Sequence, residues 1–242
     1  MTDLSNRFLA AVEVEKARLS SRRSLLGKSA VIGGGAAFAL AAVPGFRASA
    51  QDSTPAADGL EADPYFEDDG VNILNYALTL EHLEATFYRE GLATFAPEDF
   101  SSDGTTTVYD LLTVIGDHEN AHVEALTATI NDLGGTPVEE ATYDFGYTDV
   151  ASFLVTSAAL ENVGVAAYAG AAPSVAVLAP SLVPTALGIH SVEARHASFV
   201  GALINDADNQ PFPNAVDAPL TPNEVLEAAG PFFITDVSTP EA

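Results

Sequence analysis

Four stretches of the chain carry metal-chelating side chains at helical spacing. In order they are Glu81 with Tyr88 seven residues on, Glu119-x-x-His122, Glu161 with Tyr168 seven residues on, and Glu193-x-x-His196. Carboxylate and imidazole both suit Fe and Mn, and the choice between the two metals stays open. Two glutamates and two Glu-x-x-His pairs, each from a different helix, compose the ligand set of a carboxylate-bridged two-metal centre inside a four-helix bundle. The i, i+3 spacing within each pair sets both side chains on one helix face. The tyrosines lie two turns along the same stripes, and each is expected to hydrogen-bond a ligand carboxylate.

These residues interrupt apolar stripes. The first reads Leu74, Leu78, Glu81, Ala85, Tyr88; the second Leu112, Ile115, Glu119, His122, Leu126; the third Leu154, Ala158, Glu161, Val165, Tyr168; the fourth Ile189, Glu193, His196, Val200. Spacings of three, four and seven mark one buried face per helix. A buried carboxylate costs several kcal/mol or takes up a proton, and four that converge repel one another. From Gln51 onward the only basic residues are Arg89 and Arg195, which read as surface ion-pair partners. Two divalent cations would balance four carboxylates, with neutral imidazoles completing the shell. Glu84, one turn from Glu81, is a rival ligand on the first helix. The match of Glu81/Tyr88 to Glu161/Tyr168 favours Glu81. His190 is a possible neighbour of the site, whereas His82 and His118 read as solvated. The pattern is also a repeat: Glu81 to Glu161 spans 80 residues, and Glu119 to Glu193 and His122 to His196 span 74 each.

The elements that must position these groups are four helices, expected over about residues 71–91, 108–133, 149–171 and 181–206. Gly91, the Gly134-Gly135-Thr136-Pro137 run and Pro173 are their expected stops, and Pro184 fits only a first turn. Thr107 with Asp110 is the expected cap of the second. The connection between helices two and three is longer than that between three and four, which predicts a crossover in the middle and a tight hairpin at the end. The fold class is all-α: a bundle over residues 70–206, an irregular acidic linker at 51–69 that reads as disordered, and a Pro-rich tail at 207–242 with one short helix capped by Thr221 and Glu224.

Composition narrows the partners. The first fifty residues hold three acids and seven bases; the remainder hold 31 acids and two bases. Such a body repels nucleic acid and anionic membranes and attracts cations. With no Cys anywhere, disulfides, thiolate metal sites and an attached rubredoxin-type centre are excluded. Ser21-Arg22-Arg23-Ser24-Leu25-Leu26, the Ala/Gly-rich run to Phe46 and Ala48-Ser49-Ala50 resemble a twin-arginine export signal. That resemblance implies residues 1–50 as a signal peptide, the twin-arginine translocase as a partner during export, and a periplasmic or extracellular mature protein without a stable membrane span. An uncleaved anchor is the alternative.

The segments LNYALTLEHLEATFY, DHENAHVEAL, ALENVGVAAYAGA and IHSVEARHASFV resemble the ferritin-like domain family that includes exported bacterial and desiccation-related proteins. The resemblance implies a ferritin-like four-helix bundle with a di-iron or di-manganese centre at Glu81, Glu119, His122, Glu161, Glu193 and His196. It further implies O2 or H2O2 as a reactant, with ferroxidase or peroxide-consuming activity in stress protection. The alternatives are a non-catalytic desiccation or stress protein with structural metals, and an iron store. Nothing in the sequence sets the oligomeric state.

Overall fold

The structure is a computed structural model that describes residues 60–67, 69–101, 106–204 and 209–234. The expected signal peptide, and the linker up to residue 59, lie outside the described residues. Four long helices make the body: α1, Gly70–Thr94; α2, Thr107–Asp132; α3, Val150–Leu178; and α4, Val183–Ile204. A fifth, α5, covers Pro222–Ala229. Among the described residues there is no strand, only an isolated bridge between Tyr143 and Phe233. α2 and α3 each pack on α1, α4 packs on α3, and α5 rests on α3. The described part of the chain is therefore all-helical, a bundle with its core along the facing stripes.

Local chemistry sets most of the boundaries. Asp69 caps α1 by accepting the Val71 amide at 2.8 Å. Asp149 and Ser152 form a reciprocal box at the start of α3, and Thr221 with Glu224 does the same for α5. The cap position of α2 is Thr106 rather than the expected Thr107; its hydroxyl donates to Asp110 at 2.8 Å. Past the end of α2, Gly134 adopts φ +78°, a left-handed turn that glycine tolerates. The Gly135 amide then returns to the Ile130 carbonyl at 2.9 Å.

Three further expectations fail. α1 does not stop at Gly91 but continues to Thr94. That glycine is a packing residue: an added Cβ would lie 2.1 Å from the Phe153 ring. α3 does not stop before Pro173 but runs through it to Leu178. Pro173 is exposed, so its ring meets solvent, while Ser174 and Val175 beyond it are buried. The Ser174 hydroxyl also accepts the Asp63 amide at 2.8 Å. These contacts offset an interior proline that costs about 3 kcal/mol. Finally, residues 60–67 are not structureless. Pro64–Phe66 is a 3-10 turn, and Phe66 is fully buried edge-on to Tyr76.

The connection between α2 and α3, residues 133–149, lies along α1. Asn75 binds Thr136 and Val138 through its amide, His82 approaches the Val138 carbonyl, and Arg89 pairs with Glu140 at 2.7 Å. Tyr143, Phe145 and Tyr147 follow. Phe145 and Tyr147 join Phe87 and Phe153, which stack at 4.6 Å, to fill one end of the bundle with rings. α3 is long and apolar enough to cross a membrane, but half of that apolar window is buried in the bundle. Its all-round apolar character is that of a central helix.

Candidate metal centre

Five carboxylates converge in the middle of this apolar interior. Glu119, Glu161 and Glu193 are fully buried, Glu81 is 1% exposed and Glu84 3%. Each long helix delivers at least one of them, together with His122 from α2 and His196 from α4. Among the described residues no Lys or Arg takes part in the cluster.

The donor atoms fall into two overlapping groups, each able to hold a metal ion. One comprises Glu81, Glu119, His122 and Glu193; the other Glu119, Glu161, Glu193 and His196. Within each group the donor atoms lie within 4.8 Å of one another. Glu119 and Glu193 belong to both. His122 Nδ1 lies 3.1 Å from Glu81, 3.0 Å from Glu119 and 3.2 Å from Glu193. His196 Nδ1 lies 2.8 Å from Glu119, 3.3 Å from Glu161 and 3.9 Å from Glu193. Yet His196 Nδ1, Glu119 Oε1, Glu161 Oε2 and both oxygens of Glu193 have no hydrogen-bond partner. They are close without being aligned on one another, as donors are that share a third centre. Buried polar atoms are otherwise almost always paired. The donor set fits divalent Fe or Mn.

The tyrosines pair across helices. Tyr168 of α3 donates to Glu81 Oε1 of α1 at 2.5 Å. Tyr88 of α1 donates to Glu161 Oε1 of α3 and is itself joined to Ser157 at 2.7 Å. Each phenol thus meets the carboxylate of the other helix, not the one seven residues back on its own. Burial, and then the neighbouring carboxylates, push both phenols well above their ordinary range, so they stay protonated and donate.

Electrostatics show what the cluster lacks. Burial first, and then neighbouring carboxylates against the opposing pull of the histidines, lift Glu119 to about 7 and Glu193 to about 8. Burial lowers both imidazoles, but adjoining carboxylates outweigh it and raise His122 to about 12 and His196 to about 10. Glu84 is pushed well above the carboxylate range by burial and by the four other glutamates. Two divalent ions would balance four of the carboxylates, and Glu84 as a neutral acid leaves no excess charge.

The structure thus brings Glu81, Glu119, His122, Glu161, Glu193 and His196 together and seats Tyr88 and Tyr168 against them. Glu84 is adjacent but in neither donor group. His190 also joins neither; its Nε2 is buried without a partner. His118 is exposed, as expected, but it also touches the cluster: its Nδ1 lies 3.0 Å from His196 Nε2 and the two rings stack. A metal held by the inward Nδ1 of His196 would leave its Nε2–H to donate to His118 Nδ1. Ser157 and Gly164 were also missed. Gly164 faces Glu84 and Glu193, whose oxygens would lie 3.2 and 3.4 Å from an added Cβ. Both sit one turn from Glu161 on its own face, which is the signal that could have found them.

The ferritin-like domain family matches this chain over residues 69–206. That is more than half of its length and includes every residue of the cluster; the chain belongs to this family. No curated protein matches it.

Proposed function

We propose that this member of the ferritin-like domain family holds two divalent ions, Fe or Mn, and is a redox protein that consumes O2 or H2O2. The observation that carries this reading is the pair of overlapping donor groups sharing Glu119 and Glu193. In it Glu81, Glu119, His122 and Glu193 would hold one ion, and Glu119, Glu161, Glu193 and His196 the other. When bound, such a metal pair supplies two one-electron steps side by side. With two protons this reduces H2O2 to two waters, or O2 to H2O2.

The chain's own residues have separate tasks. Tyr168 and Tyr88 fix the oxygens of Glu81 and Glu161 that face away from the centre. His118 sets the tautomer of His196. Such supporting contacts orient ligands and tune metals. The apolar stripes exclude bulk water, and Glu84 keeps a proton within the cluster. We take residues 133–149 as the bundle's crossover. The antiparallel relation of α1 and α3 that the crossed tyrosine pairs require supports this. We also take residues 1–50 as an export signal, which would place the activity outside the cytoplasm in stress protection.

Metal analysis of the natively produced protein, joined to stopped-flow measurement of Fe(II) oxidation and H2O2 consumption, tests the function. About two Fe or Mn per chain with turnover supports it. Two ions without turnover would reduce the metals to structural ones. A metal-free protein that takes up no Fe or Mn refutes the reading.

A further inference from the structure

The two halves of the bundle differ in surface charge. α1 and α2, of 25 and 26 residues, expose Glu90, Asp110, Asp117, Glu124 and Asp132. α3 and α4, of 29 and 22 residues, have only Glu161 and Glu193 as acids, and both are buried in the cluster. The one exposed charge on this second pair is Arg195. In place of acids it shows apolar side chains to solvent: Val155 is 46% exposed, Val177 43% and Leu187 56%. A helix apolar on every side is ordinarily covered on every side, yet only half of the apolar window of α3 is buried within this chain. The C-terminal tail covers one part. Its Leu220 amide donates to the Ala166 carbonyl of α3, and Gln210 and Pro211 lie against Gly201 of α4. Between those anchors the tail carries Phe212 and Val216, each 83% exposed, with Asp217 as its single acid. It widens the apolar surface rather than closing it.

We propose that the outer face of α3 and α4 is the interface of a homodimer, with a second copy of this chain as its occupant. Charge selects that occupant. After residue 50 the chain holds 31 acids against two bases, so two copies repel one another on most approaches. On the α3–α4 side they meet without setting carboxylate against carboxylate. A two-fold pairing there turns both acidic sides outward. A basic protein would instead be steered to α1, α2 and the 133–149 connection, where Glu139, Glu140 and Asp144 add to the exposed acids. An anionic membrane is repelled by the same field. The area also suffices. α4 spans about 33 Å, and two helices about 10 Å apart make a face about 20 Å wide, or about 650 Å² per copy. Two such faces bury about 1,300 Å², above the roughly 1,000 Å² that a specific interface needs. Salt sets the sign of the test. An interface held by ion pairs weakens as salt rises. Apolar contacts lose nothing to salt, while the repulsion between the two acidic bodies is screened, so this interface tightens.

Sedimentation equilibrium of the natively produced protein tests this at about 0.1 M and about 1 M NaCl, where charges are screened beyond about 10 Å and about 3 Å. A monomer–dimer equilibrium should appear, with a dissociation constant about tenfold or more lower in the higher salt. Leu187→Glu and Val155→Glu each bring a carboxylate into the face of both copies and should leave monomer at both salts. Val114→Glu, at an equally exposed valine on α2, should dimerise as the parent does. All three sites are exposed, so circular dichroism and metal content should match the parent. A protein that stays monomeric in the higher salt overturns the proposal. So does a dimer that loosens with salt, or one lost equally in Val114→Glu. Binding of a monomer to phosphatidylcholine vesicles, abolished by Leu187→Glu, would assign the face to a lipid surface and overturn the proposal as well.

Discussion

Removing the metals should reverse the pH dependence of stability. Glu119 has an ordinary carboxyl pKa of 4.5 when unfolded and about 7 in the folded cluster. Between those values the folded protein holds the proton and the unfolded chain has lost it, so unfolding becomes easier as pH rises. The contribution is whole below about pH 4.5 and gone above about pH 7. At about 1.4 kcal/mol per pH unit it amounts to about 3 kcal/mol. Glu193, lifted to about 8, acts in the same sense but shares its protons with Glu119, so the two do not add in full. His196 and His122, raised to about 10 and about 12, also act in this direction. Their stabilisation is whole below pH 6.5 and lost as pH rises toward those values. For a chain of this size about 3 kcal/mol shifts Tm by about 6–12 °C. Bound metal displaces the protons, and its affinity grows with pH, so the loaded protein should show a Tm that rises toward neutrality.

The assay is calorimetry of chelator-treated and metal-loaded protein from about pH 5 to about pH 8, in salt strong enough to screen the acidic surface to a few ångströms. The metal-free Tm should fall across that window and the loaded Tm should not. In the Glu119→Gln/Glu193→Gln double variant the metal-free slope should flatten, since neither amide titrates. A metal-free Tm that is flat or rising in the parent would refute the electrostatic reasoning.

The metal count should separate shared from unshared ligands: Glu119→Ala or Glu193→Ala should lose both ions, whereas Glu81→Ala or Glu161→Ala should keep about one, by plasma emission analysis after desalting. Tyr88→Phe and Tyr168→Phe should still fold, but should bind metal about 10–100-fold more weakly in competition with a chelator. Gly91→Ala pushes a Cβ into the Phe153 ring and should cost about 1–3 kcal/mol by denaturant unfolding, with metal stoichiometry unchanged.

What could be read from the sequence was what repeats along a helix. The six Glu and His residues of the cluster follow from their i, i+3 spacing and from their place on apolar stripes, because a stripe states which side of a helix is buried. The α5 cap is similarly legible, since Thr221 and Glu224 satisfy each other within four residues. The errors come from contacts between elements. Gly91 and Pro173 have poor helix propensity, and local rules place stops there. The stops are overridden by Phe153, 62 residues away in the chain, and by the burial of Ser174 against Asp63.

His118 shows the same limit at the site itself. It is exposed like its neighbours Asp117 and Asn120, and a helical projection puts it at the edge of the polar face. Its partner, His196, lies 78 residues on, so no local pattern could pair them. The crossed tyrosines are an intermediate case. Spacing identified Tyr88 and Tyr168 as partners of the carboxylates, but not which carboxylate each would meet. Only the antiparallel placing of α1 and α3 sends each phenol to the other helix's glutamate. The duplicated pattern therefore states more than two copies of a motif. Each copy supplies the phenol that the other copy's carboxylate needs, so neither half of the site is complete without its repeat.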